Sequence, residues 1–151
     1  EPSEISAAFG LVQLKKLRTN LDKRIKIFKK HQIFFKKYEK YFILPEQKKD
    51  IYSGWLAYPL IIKEGVNFDR KDLQIFLEKN NIQTRVIFTG NILKQPGYNK
   101  IKRKVSPYGF KNTNLIHKNG LIISLYNGLT ENHLNYMYKM FDNFISKYER
   151  S

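Results

Sequence analysis

The chain has 151 residues, no cysteine, and 28 Lys and Arg against 13 Asp and Glu, for a net charge of +15. That length allows one domain with a real core, and the lack of cysteine excludes a disulfide scaffold, a thiolate zinc site, a cluster held by this segment and a cysteine nucleophile. A hydrophobic content of 42% excludes a disordered chain, and no apolar run reaches membrane-spanning length, so the expectation is a soluble protein of the reducing cytoplasm with no membrane partner.

The positive charge suits nucleic acid or phosphorylated ligands. The lysines are spread along the chain and accompany abundant Asn, Ile, Tyr and Phe, as an A·T-rich genome would write. That outweighs a dedicated nucleic-acid face, which stays the runner-up through charge plus aromatics.

In chain order, Ser3 is placed to cap a helix, after Pro2 and with Glu4 in the first turn. Ile5, Phe9, Val12, Leu17, Leu21, Ile25 and Phe28 recur at helical spacing, with lysines between them, and nothing breaks the pattern before about Tyr41. This predicts one long helix spanning more than one structural unit, with Gly10 its weak point. Phe34, Phe35, Tyr38, Tyr41 and Phe42 make its end aromatic and read as core. The chain opens at Glu1 without Met and is helical almost at once, as an excised piece would be.

Residues 45–53 read as a charged linker. Residues 55–62 read as a strand that is apolar on both faces, hence covered on both; Pro59 argues for an edge or irregular position. Asp69 caps a second helix with Leu73, Phe76 and Leu77 as its buried stripe, ended by Asn80 and Asn81. In residues 83–98, Thr84, Val86 and Phe88 alternate with Arg85 and Ile87, a strand pattern stopped by Gly90 and Asn91 and closed by Pro96 and Gly97. An arginine in a strand followed by the amides of Asn91 and Gln95 suits a polar, anionic ligand. The plainer alternative is a solvated edge arginine followed by a simple turn.

Residues 99–110 form a basic loop carrying Lys100, Lys102, Arg103 and Lys104, either solvated or a positive rim to an anion site. Residues 112–118 read as a short helix and 121–126 as a strand. Thr130 caps the last helix, with His133 where a capping-box glutamate would stand, and Leu134, Met137, Phe141, Phe144 and Ile145 face the core. Three short strands with helices on one side make an α+β layer. No phosphate-loop, dinucleotide or nucleophile-elbow motif occurs. His31, His117 and His133 read as surface or capping histidines, and Asp69 and Asp72 as helix-start carboxylates instead of an acid–base pair.

Three segments together resemble the DegT/StrS-type sugar aminotransferases and dehydratases. They are Ser3-Glu4-Ile5-Ser6-Ala7-Ala8-Phe9-Gly10-Leu11-Val12-Gln13-Leu14; Thr84-Arg85 through Phe88, with Gly90-Asn91 and Gln95-Pro96; and Gly128-Leu129-Thr130 through Leu134-Asn135-Tyr136 and Phe141. Trp55 and Tyr58-Pro59-Leu60 fit the family's first small-domain strand. The middle segment looks like the 3-dehydrase branch that acts on CDP-4-keto-6-deoxy-D-glucose. Thr89 in place of a smaller Ala, and Leu125-Tyr126-Asn127 in place of Val-Tyr-Pro, leave dehydration and amination both open.

The resemblance implies the carboxy-terminal small domain of a fold-type-I enzyme using pyridoxal phosphate (PLP) or its amine form (PMP). The expected fold is α+β: a long linking helix in residues 1–44, then, in residues 45–151, a mainly antiparallel three-stranded sheet covered by helices. The PLP lysine, or the histidine replacing it in 3-dehydrases, would lie upstream in the enzyme's own large domain, so neither catalytic residue nor cofactor is expected here. The full-length enzyme would be a homodimer acting on a nucleotide-linked 4-keto-6-deoxy sugar in deoxysugar and lipopolysaccharide biosynthesis. In the CDP-sugar branch a reductase partner supplies electrons through an iron–sulfur centre. Arg85 would contact the sugar nucleotide or another active-site anion, or pair with a carboxylate of the large domain. Asn91 and Gln95 would be loop donors near the substrate and Tyr98 a wall.

Overall fold

The computed structural model describes residues 3–98 and 100–149. Pro2, read before the first cap, and Asn99, read as opening the basic loop, lie outside the described residues. Helix α1 (Glu4–Lys36) is one unbroken rod, and the Ser3 hydroxyl accepts from the Ser6 N–H at 3.3 Å as its cap. Gly10 does not break it, and apart from its neighbours and the helix's own backbone no atom of the described residues lies within 4 Å of where a Cβ at Gly10 would stand.

The rod ends at Lys36, short of the expected Tyr41. Residues 37–41 turn instead, because Phe42 goes fully into the core and its backbone joins a sheet. Phe42–Ile43 forms strand β1 and pairs antiparallel with Ile62 and Ile61. Among the described residues the sheet therefore has four strands where three were expected. Two residues at the end of an aromatic run carry no period of their own.

The other elements are β2 (Ala57–Ile62), α2 (Arg70–Lys79), β3 (Arg85–Val86), α3 (Lys111–Asn119), β4 (Gly120–Ser124) and α4 (Glu131–Glu149). The sheet order is β1-β2-β4-β3, with every neighbouring pair antiparallel. Pro59 lies opposite Ile122 of β4, and β1 reaches only as far as Ile61. Its missing N–H therefore sits where the other side of β2 has no partner, as a proline in a strand requires.

Strand β2 is covered on one face, not both. Tyr58, Leu60 and Ile62 are buried while Ala57, Pro59 and Ile61 are half-buried. The register puts Ile123 beside Tyr58 and Leu121 beside Leu60 on the buried face. On that face the aromatic end of α1 meets α4: Phe35 stacks on Tyr58 at 5.5 Å and meets Phe141 edge-on at 4.9 Å, and Phe34 stacks on Tyr138 at 4.1 Å. Leu73 and Leu77 of α2 complete the core.

His31 also belongs to this core, not to the surface or a cap. Its Nε2 lies 3.1 Å from the Ser124 carbonyl oxygen, which can only accept, so Nε2 carries the proton. Its Nδ1, 2.8 Å from Tyr138 Oη, then accepts from that hydroxyl. A histidine here satisfies both ends of its ring, as a buried polar group must. The caps form as the sequence predicts. Asp69 and Asp72 make a reciprocal capping box on α2, and Thr130 and His133 make the same exchange at α4, with imidazole in the place of glutamate.

Candidate functional site

The site grows from the sheet's outer edge at β3. Thr84 is pulled toward α2: its N–H and hydroxyl both donate to Glu78 Oε1, at 2.6 and 3.0 Å. That fixes the entry to β3, whose two residues pair with β4, Arg85 opposite Ile122 and Val86 opposite Leu121. Because strand side chains alternate, the register puts Arg85 on the face of Ile122 and Pro59, away from the core. Among the described residues no carboxylate lies in ion-pair range of its guanidinium.

Arg85 borders a cavity of about 440 Å³. Leu129, Leu134, Met137 and Ile122 make the lining mainly apolar, and Thr84, Ser124 and His133 add polar atoms. The buried His31 holds the Ser124 carbonyl, and burial lowers the His31 pKa to about 4. The core thus supplies this wall with a neutral, fixed hydrogen bond. An arginine bordering such a cavity offers a planar, always-charged fork for a carboxylate or phosphate.

Beyond Val86 the alternation does not continue as a strand. The chain turns, with Gly90 N–H donating to Ile87 O at 3.0 Å, Phe88 at φ +47° and Gly90 at φ +60°. The turn is wedged against α3. A Cβ at Gly90 would stand 2.5 Å from His117 Nδ1, so only glycine lets the backbone pass. His117 Nδ1 accepts from the Asn91 N–H at 3.1 Å.

The remaining predicted residues are distributed along this loop. Asn91 is buried; its amide donates to Asn114 Oδ1 at 2.8 Å, and its oxygen accepts from Leu93 N–H at 3.0 Å. Gln95 donates to Thr89 O at 3.1 Å and borders a second cavity, of about 210 Å³, with Phe88, Thr89, His117 and Arg70. Tyr98 is half-exposed at the end of the loop. Arg85 and Gln95 therefore face different cavities at opposite ends of one short segment, with Asn91 bracing it.

Three residues that hold this arrangement carry no local signal in sequence. Asn114 and His117 act across 23 and 26 residues. Arg70 donates to the carbonyls of His117 and Gly120 at 2.7 and 3.1 Å, placing a cation at the negative end of α3.

The sequence profile of the DegT/DnrJ/EryC1/StrS aminotransferase family matches residues 3–142. The lipopolysaccharide biosynthesis protein RfbH of Salmonella typhimurium is 30% identical over 142 residues, 94% of this chain and 32% of that protein. The GDP-4-keto-6-deoxy-D-mannose 3-dehydratase of Escherichia coli O55:H7 is 32% identical over 122 residues, 81% of this chain and 31% of that protein. A solved GDP-4-keto-6-deoxymannose-3-dehydratase with a trapped PLP-glutamate geminal diamine superimposes with a TM-score of 0.75 at 28% identity, over 93% of this chain and 36% of that one. The chain spans about a third of the length of these relatives.

Proposed function

The chain belongs to the DegT/DnrJ/EryC1/StrS aminotransferase family, and from that membership we propose that it is the C-terminal part of a PLP/PMP-dependent nucleotide-sugar 3-dehydrase of deoxysugar and lipopolysaccharide biosynthesis. Residues 1–44 link it to a large domain and residues 45–151 form the small domain, with the last turns of α1 lending side chains to its core. The small domain is one wall of the sugar-nucleotide site. The observation that carries the reading is Arg85, a cation held on a fixed strand and bordering a cavity, with no carboxylate among the described residues in ion-pair range.

Arg85 takes an anionic group of the nucleotide sugar. Gln95 and Tyr98 contact the substrate from the loop, and Asn91 sets the loop's height over it. The exposed lysines Lys100, Lys102 and Lys104 extend the positive rim.

The cofactor does not belong to these residues. A pyridine cofactor of this kind needs an acidic partner for its ring nitrogen, and among the described residues no carboxylate lines either cavity of the site. We assign the cofactor to the large domain and derive no step through it. The enzyme works in the cytoplasm as a homodimer. Among the described residues no helix is long and apolar enough to cross a membrane.

The test is product analysis. The full-length protein, loaded with PLP and supplied with glutamate, is offered GDP-, CDP- and dTDP-linked 4-keto-6-deoxy sugars, with a reductase added in one arm. Mass spectrometry should show a product that has lost its 3-hydroxyl. An amino sugar as the only product would replace dehydration with amination, and a cofactor-loaded enzyme that converts none of the three would overturn the reading.

A further inference from the structure

Phe88 is the residue that folding alone does not explain. It is 87% exposed and sits at φ +47°, a left-handed conformation that costs a residue with a Cβ and is uncommon outside glycine, asparagine and aspartate. Folding gains little by holding a phenyl ring in water. The surroundings nevertheless hold the turn tightly. Gly90 is wedged on His117, the Asn91 N–H is bound by His117, and Gln95 clamps the Thr89 carbonyl. A strained backbone kept by that many constraints points to a job for the side chain.

The cavity beside it indicates which job. Phe88, Val86 and Ile116 give it apolar walls, while Gln95, Thr89 and Arg70 give it polar ones. A sugar ring has the matching character, with C–H groups on its faces and hydroxyls around its edge. At about 210 Å³ the cavity is smaller than the roughly 300–1,000 Å³ of a site that takes a whole drug-sized ligand, so it fits one ring of a larger substrate.

We infer that Phe88 is a substrate-positioning residue, its ring forming the apolar platform on which the face of the deoxyhexose lies while Gln95 meets the hydroxyl edge. This deepens the sugar-nucleotide reading above and rests on it. Position 88 thereby selects for sugars whose face toward the loop carries C–H or methyl groups.

Phe88→Gly gives a clean test, because glycine accepts the positive φ without strain and should leave the turn intact. The experiment uses the full-length, cofactor-loaded enzyme and the nucleotide-linked 4-keto-6-deoxy sugar that the wild type converts. KM for Phe88→Gly should rise about 3- to 10-fold, the scale of one lost aromatic contact. Its kcat, cofactor absorbance and thermal midpoint should hold, the Kd for the free nucleoside diphosphate should not change, and Phe88→Tyr should restore the wild-type KM. An unchanged KM overturns the inference, as does a lower thermal midpoint with no change in KM, which would make Phe88 a domain-packing residue. Equal weakening of the free nucleoside diphosphate overturns it too, by moving the contact to the base. A wild type that converts no nucleotide sugar overturns the sugar-nucleotide reading and this inference together.

Discussion

Acidification should destabilise this chain through one side chain, His31. Its ring is fully buried, with one nitrogen donating to the Ser124 carbonyl and the other accepting from the Tyr138 hydroxyl. Both positions are thus filled by the neutral ring, and burial holds the pKa at about 4. An unfolded histidine titrates near pH ~6.5. The folded pKa is the lower one, so as pH falls the unfolded chain takes the proton first. The His31 contribution is therefore intact above pH ~6.5 and is lost progressively toward pH ~4. A gap of that size corresponds to roughly 2 kcal/mol lost by about pH 5 and roughly 3.4 kcal/mol in the limit.

The surroundings do not blur this. Tyr58 and Tyr138, which face the ring, are pushed upward by burial and stay neutral. Away from the ring, Glu39 and Glu149 are held below the ordinary carboxylate range, chiefly by the hydrogen bonds from Lys36 and Lys40, whatever stands at position 31. The assay is urea unfolding of wild type and His31→Gln at about pH 7.5 and about pH 5. The variant will be less stable at the higher pH, but its loss on acidification should be smaller than that of wild type by roughly 2 kcal/mol. The other two histidines are common to both proteins and cancel. Equal losses in the two proteins would refute the assignment of a buried, neutral His31.

The remaining predictions concern the core and the loop. The Tyr58 hydroxyl is buried with no hydrogen-bond partner among the described residues, so Tyr58→Phe should leave stability unchanged or raise it by up to about 1 kcal/mol; a clear loss would reveal a partner for the hydroxyl. Gly90→Ala adds a Cβ at φ +60°, 2.8 Å from the His117 Cα, and should cost about 1–3 kcal/mol by urea unfolding. The same variant in the full-length enzyme should raise KM for the sugar nucleotide, because the loop has to move off α3; an unaltered KM would mean the loop's position does not matter to the substrate.

The sequence was most legible where local chemistry decides. A serine before an apolar period gave α1, and the aspartate and threonine caps marked α2 and α4, because a cap and its partner lie within one helical turn. The pattern in residues 84–88 did not continue as a strand past Val86, because forces from distant residues outweigh it: Thr84 is drawn to Glu78, and Phe88 is turned outward by a loop wedged on His117. Arg85, Asn91 and Gln95 stood out as donors near a turn. Their partners, or their lack of one, depend on Asn114, Thr89 and the register with β4. The apolar stripe of α1 was equally plain, yet here Ile5 is 83% and Phe9 66% exposed. A period shows that a face is apolar and says nothing about what covers it.

The proposed role of this chain, a charged wall facing a nucleotide sugar, rests on Arg85 as the contact. The most direct test is the Kd of the cofactor-loaded, full-length enzyme for its sugar nucleotide, compared with Arg85→Ala and Arg85→Lys. Losing a charge-assisted pair should weaken binding roughly 10- to 150-fold in Arg85→Ala, with Arg85→Lys in between because it keeps the charge and loses the fork. Wild-type affinity in Arg85→Ala would contradict the account.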